Sequence, residues 1–349
     1  MAIEPWQQAL KESVTSVAQL DALFAADLSS LQAVVERYPC KITPHYLRLI
    51  REPGDPIWKQ AVPDLAELDD SGQPDPLGED DQSPLASIIH RYPDRVIFYV
   101  AGSCAGYCRF CTRKRKVGHA DQAPSFGQLR QGIDYIAAHP QIRDVILSGG
   151  DPLVLADPVL EDLLARVRQI PHVEILRIGS RTPVTLPERI TDKLCQLLRK
   201  YQPLYFNTHF NHPRELTSEA HQACARLADA GIVVSNQTVL LRGVNDQPQI
   251  LTELFRGLLR MRVRPYYLHQ MDLVRGTCHF RTPIATGLEL MQSLRGPVSG
   301  LASPHYVVDL PGGKGKVPLL PEALDRQEGQ LRIKALDGSL VAYPDDPCG

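Results

Sequence analysis

Residues 104–111 read Cys-Ala-Gly-Tyr-Cys-Arg-Phe-Cys, three thiols spaced C-x3-C-x2-C just after the apolar run Val96-Ile97-Phe98-Tyr99-Val100. A β-branched and aromatic run of this length reads as a strand, so the thiols fall on the loop at its carboxyl end. Three thiolates on one short loop can hold three irons of a 4Fe–4S cluster, leaving the fourth iron free to bind a substrate. A zinc knuckle with His119 as fourth ligand, or three unrelated buried cysteines, are the competing readings. Structural zinc usually takes four protein ligands, often from paired C-x2-C motifs, and no second pair stands nearby.

Working outward from that loop, strand-like runs recur at 96–100, 144–147, 173–178, 204–208, 233–240, 264–268 and 306–308. Helix-period segments at 129–138, 159–170, 186–198, 220–227, 250–261 and 288–294 lie between them. The unit repeats about every 30 residues, the size of a βα repeat. Parallel strands closed or half-closed into a barrel are expected. An open doubly wound sheet is the alternative, but no G-x-G-x-x-G follows the first strand. Cys104, Ser148-Gly149-Gly150-Asp151, Ser180-Arg181, His209, Gln237, Gln270 with Asp272, and Asp309 all fall at or just past the strands' carboxyl ends. Barrel enzymes build their sites on that face. Any one Ser or Asp here would serve as a helix cap; seven positions in register point to a shared site.

The 349 residues carry 38 Lys+Arg and 40 Asp+Glu, a formal net charge of −2. No polyanion-binding field follows from that balance, so no nucleic-acid partner is expected. No apolar run approaches the roughly 18 residues of a membrane helix. Met1-Ala2-Ile3-Glu4-Pro5 lacks a basic stretch before an apolar core, and a cytoplasmic protein with no membrane partner is expected. Of eight cysteines, Cys40, Cys195, Cys224, Cys278 and Cys348 are scattered singly and read as reduced apolar fillers. Residues 6–37 place apolar side chains at helix spacing, so 1–63 is expected to be a small helical region. Residues 64–84 are acidic and rich in Pro and Gly, which predicts a solvated linker. The barrel is expected over 85–310, followed by a loop and tail over 311–349.

Two further stretches carry chemistry. Ser148-Gly149-Gly150-Asp151 combines glycines, which let backbone approach a ligand, with a carboxylate suited to an ammonium group. Asp309-Leu310-Pro311-Gly312-Gly313-Lys314-Gly315-Lys316 is not a P-loop, because no Ser or Thr follows the lysine. It offers lysine amines on a glycine-rich loop, and such amines condense with carbonyl cofactors.

Taken together, C-x3-C-x2-C-T-R, S-G-G-D, the Asp272 segment and the D-x-P-G-G-x-G-K loop resemble the lysine 2,3-aminomutase family of radical S-adenosylmethionine (SAM) enzymes over roughly residues 85–320. The resemblance implies an α/β fold, a partial (β/α) barrel of the radical SAM type, carrying a 4Fe–4S cluster, SAM and pyridoxal phosphate (PLP). It implies that Cys104, Cys108 and Cys111 ligate the cluster and that Ser148, Gly149, Gly150 and Asp151 grip the methionyl amino group of SAM. His209 and Gln237 would face SAM, Lys316 would carry PLP, and Arg91 and Arg95 would hold its phosphate. Arg113 would pair with the substrate carboxylate, while Asp272 and Asp309 would hold a distal ammonium. The implied reaction moves the α-amino group of L-lysine to Cβ, after an electron from a donor such as flavodoxin. The short form resembles the branch that makes (R)-β-lysine for elongation factor P, which implies a link to that factor and its ligase. A catabolic lysine 2,3-aminomutase, and a non-enzymatic iron–sulfur or zinc-binding module, are the alternatives. Lys314 stands where the usual loop has glycine, and position favours Lys316. Longer clostridial-type relatives have a Cys-bearing tail that builds an intersubunit zinc site. Here the tail offers only Cys348, so that zinc site is not expected and a homo-oligomer is left open.

Overall fold

Each βα unit returns the chain to the same side of a growing sheet, so the strands line up in the order in which they are made. The computed structural model describes residues 3–119, 122–320, 324–327, 330–335 and 339–342, and Cys348 lies outside them. The strands are β1 (Ile88–Tyr92), β2 (Arg95–Ala101), β3 (Asp144–Gly149), β4 (Ile175–Gly179), β5 (Leu204–Thr208), β6 (Val233–Leu240), β7 (Arg264–Gln270), β8 (His305–Asp309) and β9 (Lys316–Pro318). They form one nine-stranded sheet in sequence order. From β2 to β8 the pairs are parallel, and β1 and β9 add antiparallel edges. With β1 at one edge and β9 at the other, the barrel is partial and open.

The N-terminal helices are α1 (Pro5–Lys11), α2 (Val17–Phe24), α3 (Gln32–Arg37), α4 (Pro44–Leu47) and α5 (Pro56–Ala61). The run expected as helix over 6–37 is broken because Ser16 caps α2 at its start and Ala25, in the left-handed region, ends it. The sheet is wrapped by α6 (Phe126–Ala138), α7 (Asp157–Arg168), α8 (Thr182–Thr185), α9 (Asp192–Arg199), α10 (Ser218–Asp229), α11 (Pro248–Arg260) and α12 (Ile284–Leu294). The segment expected as one helix over 186–198 starts only at α9, where the Thr191 hydroxyl caps the Leu194 N–H. Strands buried on both faces explain the β-branched runs. Val145, Leu147, Leu176, Ile178, Phe206 and Leu268 meet Leu160, Leu164, Leu194, Leu227 and Leu254 in one core that also takes in Ile42, Ile57 and Trp58.

The edges differ from expectation. β1 pairs with β2 as a hairpin that the sequence reading passed over, and β9 belongs to the main sheet although the barrel was expected to end at 310. In the tail, β10 (Leu324–Gln327), β11 (Gln330–Lys334) and β12 (Leu340–Ala342) form a separate antiparallel sheet.

The largest correction concerns the 64–84 stretch. It is a strap across the open seam of the barrel. Gln73 bridges Val274 beyond β7, the Gly312 N–H donates to Pro76 O at 2.8 Å, and the His90 N–H donates to Gln82 O at 2.8 Å. Its acidity is the reason it docks: Glu67 is fully buried and Glu79 is 3% exposed, each against cations of the cysteine loop.

Candidate active site

The cysteine loop leaves β2 at Ala101 and is pinned from below by ion pairs. Arg109 forks onto Glu67 through Nε at 2.8 Å and Nη2 at 2.6 Å, and Lys114 Nζ reaches the same carboxylate at 2.5 Å. Two buried cations share one carboxylate, and the excess positive charge shows in Lys114, which burial pushes down to about 8. Cys104, Cys108 and Cys111 are free and half-buried. Burial, then Asp151 and the neighbouring thiols, push the Cys104 thiol well up, and burial with Cys108 pushes Cys111 up to about 11. Thiolates this close would repel one another, and a cation among them offsets that repulsion, which suits iron. Among the described residues they do not close on a point as ligands of one ion would, whereas a cluster presents separate irons.

The turn after β3 lies against that loop. A Cβ on Gly149, whose φ is +124°, would sit 2.5 Å from Ala101 O, and one on Gly150 would sit 2.3 Å from Ser103 O. Only glycine permits this approach. Asp151 is engaged by the protein itself. Its carboxylate accepts from Ser180 Oγ at 2.8 Å, the Leu153 N–H at 3.0 Å and the Arg181 N–H at 2.8 Å, so it braces the β3 turn against the end of β4. Arg181 donates through Nη1 to Cys108 Sγ at 2.8 Å.

Arg113 is likewise engaged. It pairs with Glu79 through Nε at 2.9 Å and Nη2 at 2.8 Å, and Nη1 donates to Gly149 O at 3.2 Å. His209 Nε2 lies 3.1 Å from Asn211 Oδ1, and burial followed by Arg181 lowers its pKa well below the usual value. Gln237 sits on β6, half-buried, beside a register shift at Asn236.

At the far side, β8 and β9 pair Asp309 with Lys316. Lys316 Nζ is 2.5 Å from Asp309 Oδ2, 3.2 Å from His269 Nδ1 and 5.2 Å from the Tyr267 ring centre. Burial alone would raise Asp309, but His269 and Lys316 outweigh it and hold the carboxyl well below its usual range. Asp272, just past β7, accepts from Thr112 Oγ1 at 2.9 Å; burial first, then Asp309, push it up to about 6. Lys314 is exposed. Tyr92 Oη accepts from the Lys316 N–H at 3.0 Å and so ties edge strand β1 to edge strand β9. Arg91 donates to Gln82 Oε1 at 2.8 Å and Leu77 O at 3.0 Å, with Nη1 3.8 Å from Asp309. Arg95 stacks on Tyr92 at 4.3 Å.

A family model of the radical SAM superfamily matches residues 98–254, and one for lysine-2,3-aminomutase matches 291–347. An L-lysine 2,3-aminomutase of Fusobacterium nucleatum is 45% identical over 98% of this chain and 84% of its own. The L-lysine 2,3-aminomutase of Clostridium subterminale is 44% identical over 97% and 83%. This chain belongs to the lysine 2,3-aminomutase family of radical SAM enzymes. Membership makes it an isomerase that works with a 4Fe–4S cluster and SAM. A glutamate 2,3-aminomutase of Clostridioides difficile is also 42% identical, over 98% of this chain and 82% of its own.

For a member of this family, the residues that the sequence reading missed are the anions behind the site. Glu67, Glu79 and Glu215 each hold an arginine of the cluster side. Composition hid the first two, since an acidic run reads as solvated. The matching cations on the cysteine loop were the available signal. No helix among the described residues is long and apolar enough to cross a membrane.

Proposed function

We propose that this protein moves the α-amino group of L-lysine to Cβ with PLP held on Lys316, supplying β-lysine for elongation factor P. The observation that carries the substrate is the pair Asp272 and Asp309, close enough for Asp309 to raise Asp272. Asp309 has Lys316 and, at 3.8 Å, Arg91, whereas Asp272 is bonded to the neutral Thr112 hydroxyl, so the Asp272 carboxylate is the one short of positive charge. A distal ammonium supplies it, whereas the distal carboxylate of glutamate would meet two like charges. Relatives named for lysine and for glutamate are similarly close, so identity does not choose between them, and the charge at this end supports lysine.

The lysine loop suits PLP. Gly312, Gly313 and Gly315 have φ of +68°, +71° and +98°, shaping a backbone cradle beside Lys316. One buried polar atom beside Lys316, His269 Nε2, has no protein partner, a deficit that a polar ligand would remove. Bound PLP supplies an electron-withdrawing ring conjugated to the substrate nitrogen. Lys316 must shed a proton to hold it. Asp309 is a poor acceptor because its carboxyl is held low; burial, then Lys316, lower the pKa of His269, and in the tautomer protonated at Nε2, which gives up the bond to Asp309, its Nδ1 is an acceptor within 3.2 Å. Arg91, whose Nη1 makes a 3.8 Å ion pair with Asp309, would offer that group to the phosphate, with Arg95 as the second candidate. We assign Cys104, Cys108 and Cys111 to the cluster, and the backbone of 148–150 with His209 and Gln237 to SAM. Arg113 would offer the substrate carboxylate a guanidinium already oriented by Glu79.

Borohydride reduction of the PLP-loaded protein should place the adduct on Lys316, and Lys316→Ala should have neither adduct nor β-lysine formation. An adduct on Lys314, or turnover of glutamate faster than lysine, would overturn the assignment. For the role in translation, elongation factor P from cells lacking this gene should be lighter by a β-lysyl group, and an unchanged mass would sink it.

A further inference from the structure

Arg181 lies just past β4, and only 9% of it is exposed. Nη2 donates to Gln60 Oε1 at 2.7 Å, Glu215 Oε1 at 2.8 Å and Tyr46 Oη at 3.2 Å, while Nε donates to His209 O at 3.1 Å. These anchors are themselves fixed. Glu215, fully buried, accepts from Tyr46 Oη at 2.7 Å and from the Asn211 and His212 N–H groups at 2.5 and 2.9 Å. Side chains of α4 and α5, the loop after β5 and the Asp151 brace therefore lock one guanidinium so that Nη1 points at Cys108 Sγ, 2.8 Å away. Pairing with Glu215 engages Nη2 and leaves Nη1 unused, the other lone pairs of Glu215 being met by Tyr46 and two backbone donors. The remaining N–H is aimed at sulfur.

We propose that Arg181 sets the potential at which the cluster accepts its electron, acting through Cys108. The inference rests on reading Cys108 as a cluster ligand. In the step concerned, a low-potential one-electron donor passes one electron to the cluster; no bond forms or breaks, and the cluster becomes one charge more negative. Hydrogen bonds to ligand sulfurs and nearby charge are established controls of such potentials. An N–H donated to a ligand sulfur favours the more negative state; Glu215 offsets part of the guanidinium charge, so this hydrogen bond is the larger part of the effect, and burial protects it from screening by salt. Arg181 is thus a positioning residue that makes the cluster easier to reduce. It also gives the N-terminal helices a task, because Tyr46 and Gln60 come from them.

The test is potentiometric titration of the anaerobically reconstituted full-length protein, following the reduced cluster by electron paramagnetic resonance, for wild type, Arg181→Met, Arg181→Lys and Cys108→Ala. Arg181→Met should keep about four irons per chain. Its ratio of reduced to oxidised cluster at the wild-type midpoint should fall about tenfold, a downward shift of about 59 mV for a one-electron couple. Arg181→Lys, keeping the charge but not the fork, should fall between. An unchanged midpoint in Arg181→Met at full iron content overturns the proposal. Iron loss from both Arg181 variants with native circular dichroism overturns it too, by making Arg181 an anchor for the loop. Cys108→Ala retaining its iron would instead show that Cys108 is not a ligand, a separate failure.

Discussion

The two ends of the site follow opposite electrostatic rules. At the cluster end the buried cations have protein anions: Arg109 and Lys114 share Glu67, Arg113 has Glu79, and Arg181 has Glu215. At the lysine end, Asp272 is bonded to the Thr112 hydroxyl, while Lys316 and His269 are drawn to Asp309. Matched charges in a dry interior fix one geometry. An unmatched carboxylate raises the free energy of the empty site and stores an attraction for whichever cation completes it. The cluster end is therefore preorganised by the fold, and the lysine end is completed by its ligand.

That contrast can be broken most directly at Glu67. Glu67→Ala would strand two buried cations, a loss of roughly 3–5 kcal/mol of stability. Thermal denaturation should show a large drop in Tm, and an unchanged Tm would mean that the cluster loop does not depend on matched charge. Asp272→Asn tests the other end and should behave oppositely. Activity toward lysine should fall by roughly two orders of magnitude in kcat/KM. Stability of the ligand-free protein should rise by about 1 kcal/mol, because a repelled, desolvated charge has been removed. An Asn variant with unaltered lysine kinetics would detach Asp272 from the substrate, and one that unfolds more easily would make it part of the scaffold.

What the sequence could disclose follows the range of the forces involved. β2 to β8 were legible because a parallel strand buried on both faces must be an apolar run, and the C-x3-C-x2-C and glycine–lysine stretches stood out because their spacing is local. Edge strand β1, Ile88–Tyr92, escaped because His90 and Arg91 interrupt its apolar pattern. The strap escaped for a deeper reason. Whether Glu67 or Glu79 is solvated or buried depends on Arg109, Lys114 and Arg113, which lie 34 to 47 residues further on. Nothing in the local composition of 64–84 carries that information. Asp151 shows the same limit: its motif suggests an ammonium, and nothing local discloses that Ser180 and the Arg181 N–H, one βα unit later, also bond its oxygens.

The smallest effect, and the sharpest discriminator, is in proton linkage. In the folded protein Asp272 sits at about 6 against an ordinary 3.8. The native state therefore holds that proton more tightly than the unfolded chain. The contribution to stability is fully present below about pH 4 and disappears as pH rises through about 6. Asp309, held low, works the other way, its contribution present above about pH 4 and lost at lower pH. Raw pH–stability curves mix the two, so the quantity to measure is the difference between wild type and Asp272→Asn. Wild type should lose stability relative to the variant by at most about 3 kcal/mol between pH 4 and pH 7. Binding should reveal the same proton. A substrate ammonium favours ionised Asp272, so lysine should drive off up to about one proton near pH 5 and none from this group near pH 8. Calorimetry in two buffers of different ionisation enthalpy reads this directly, with Asp272→Asn subtracting protons from other groups. Equal proton release by wild type and variant near pH 5 would show that the ligand's charge does not reach Asp272, and the lysine end would then be no more dependent on its ligand than the cluster end.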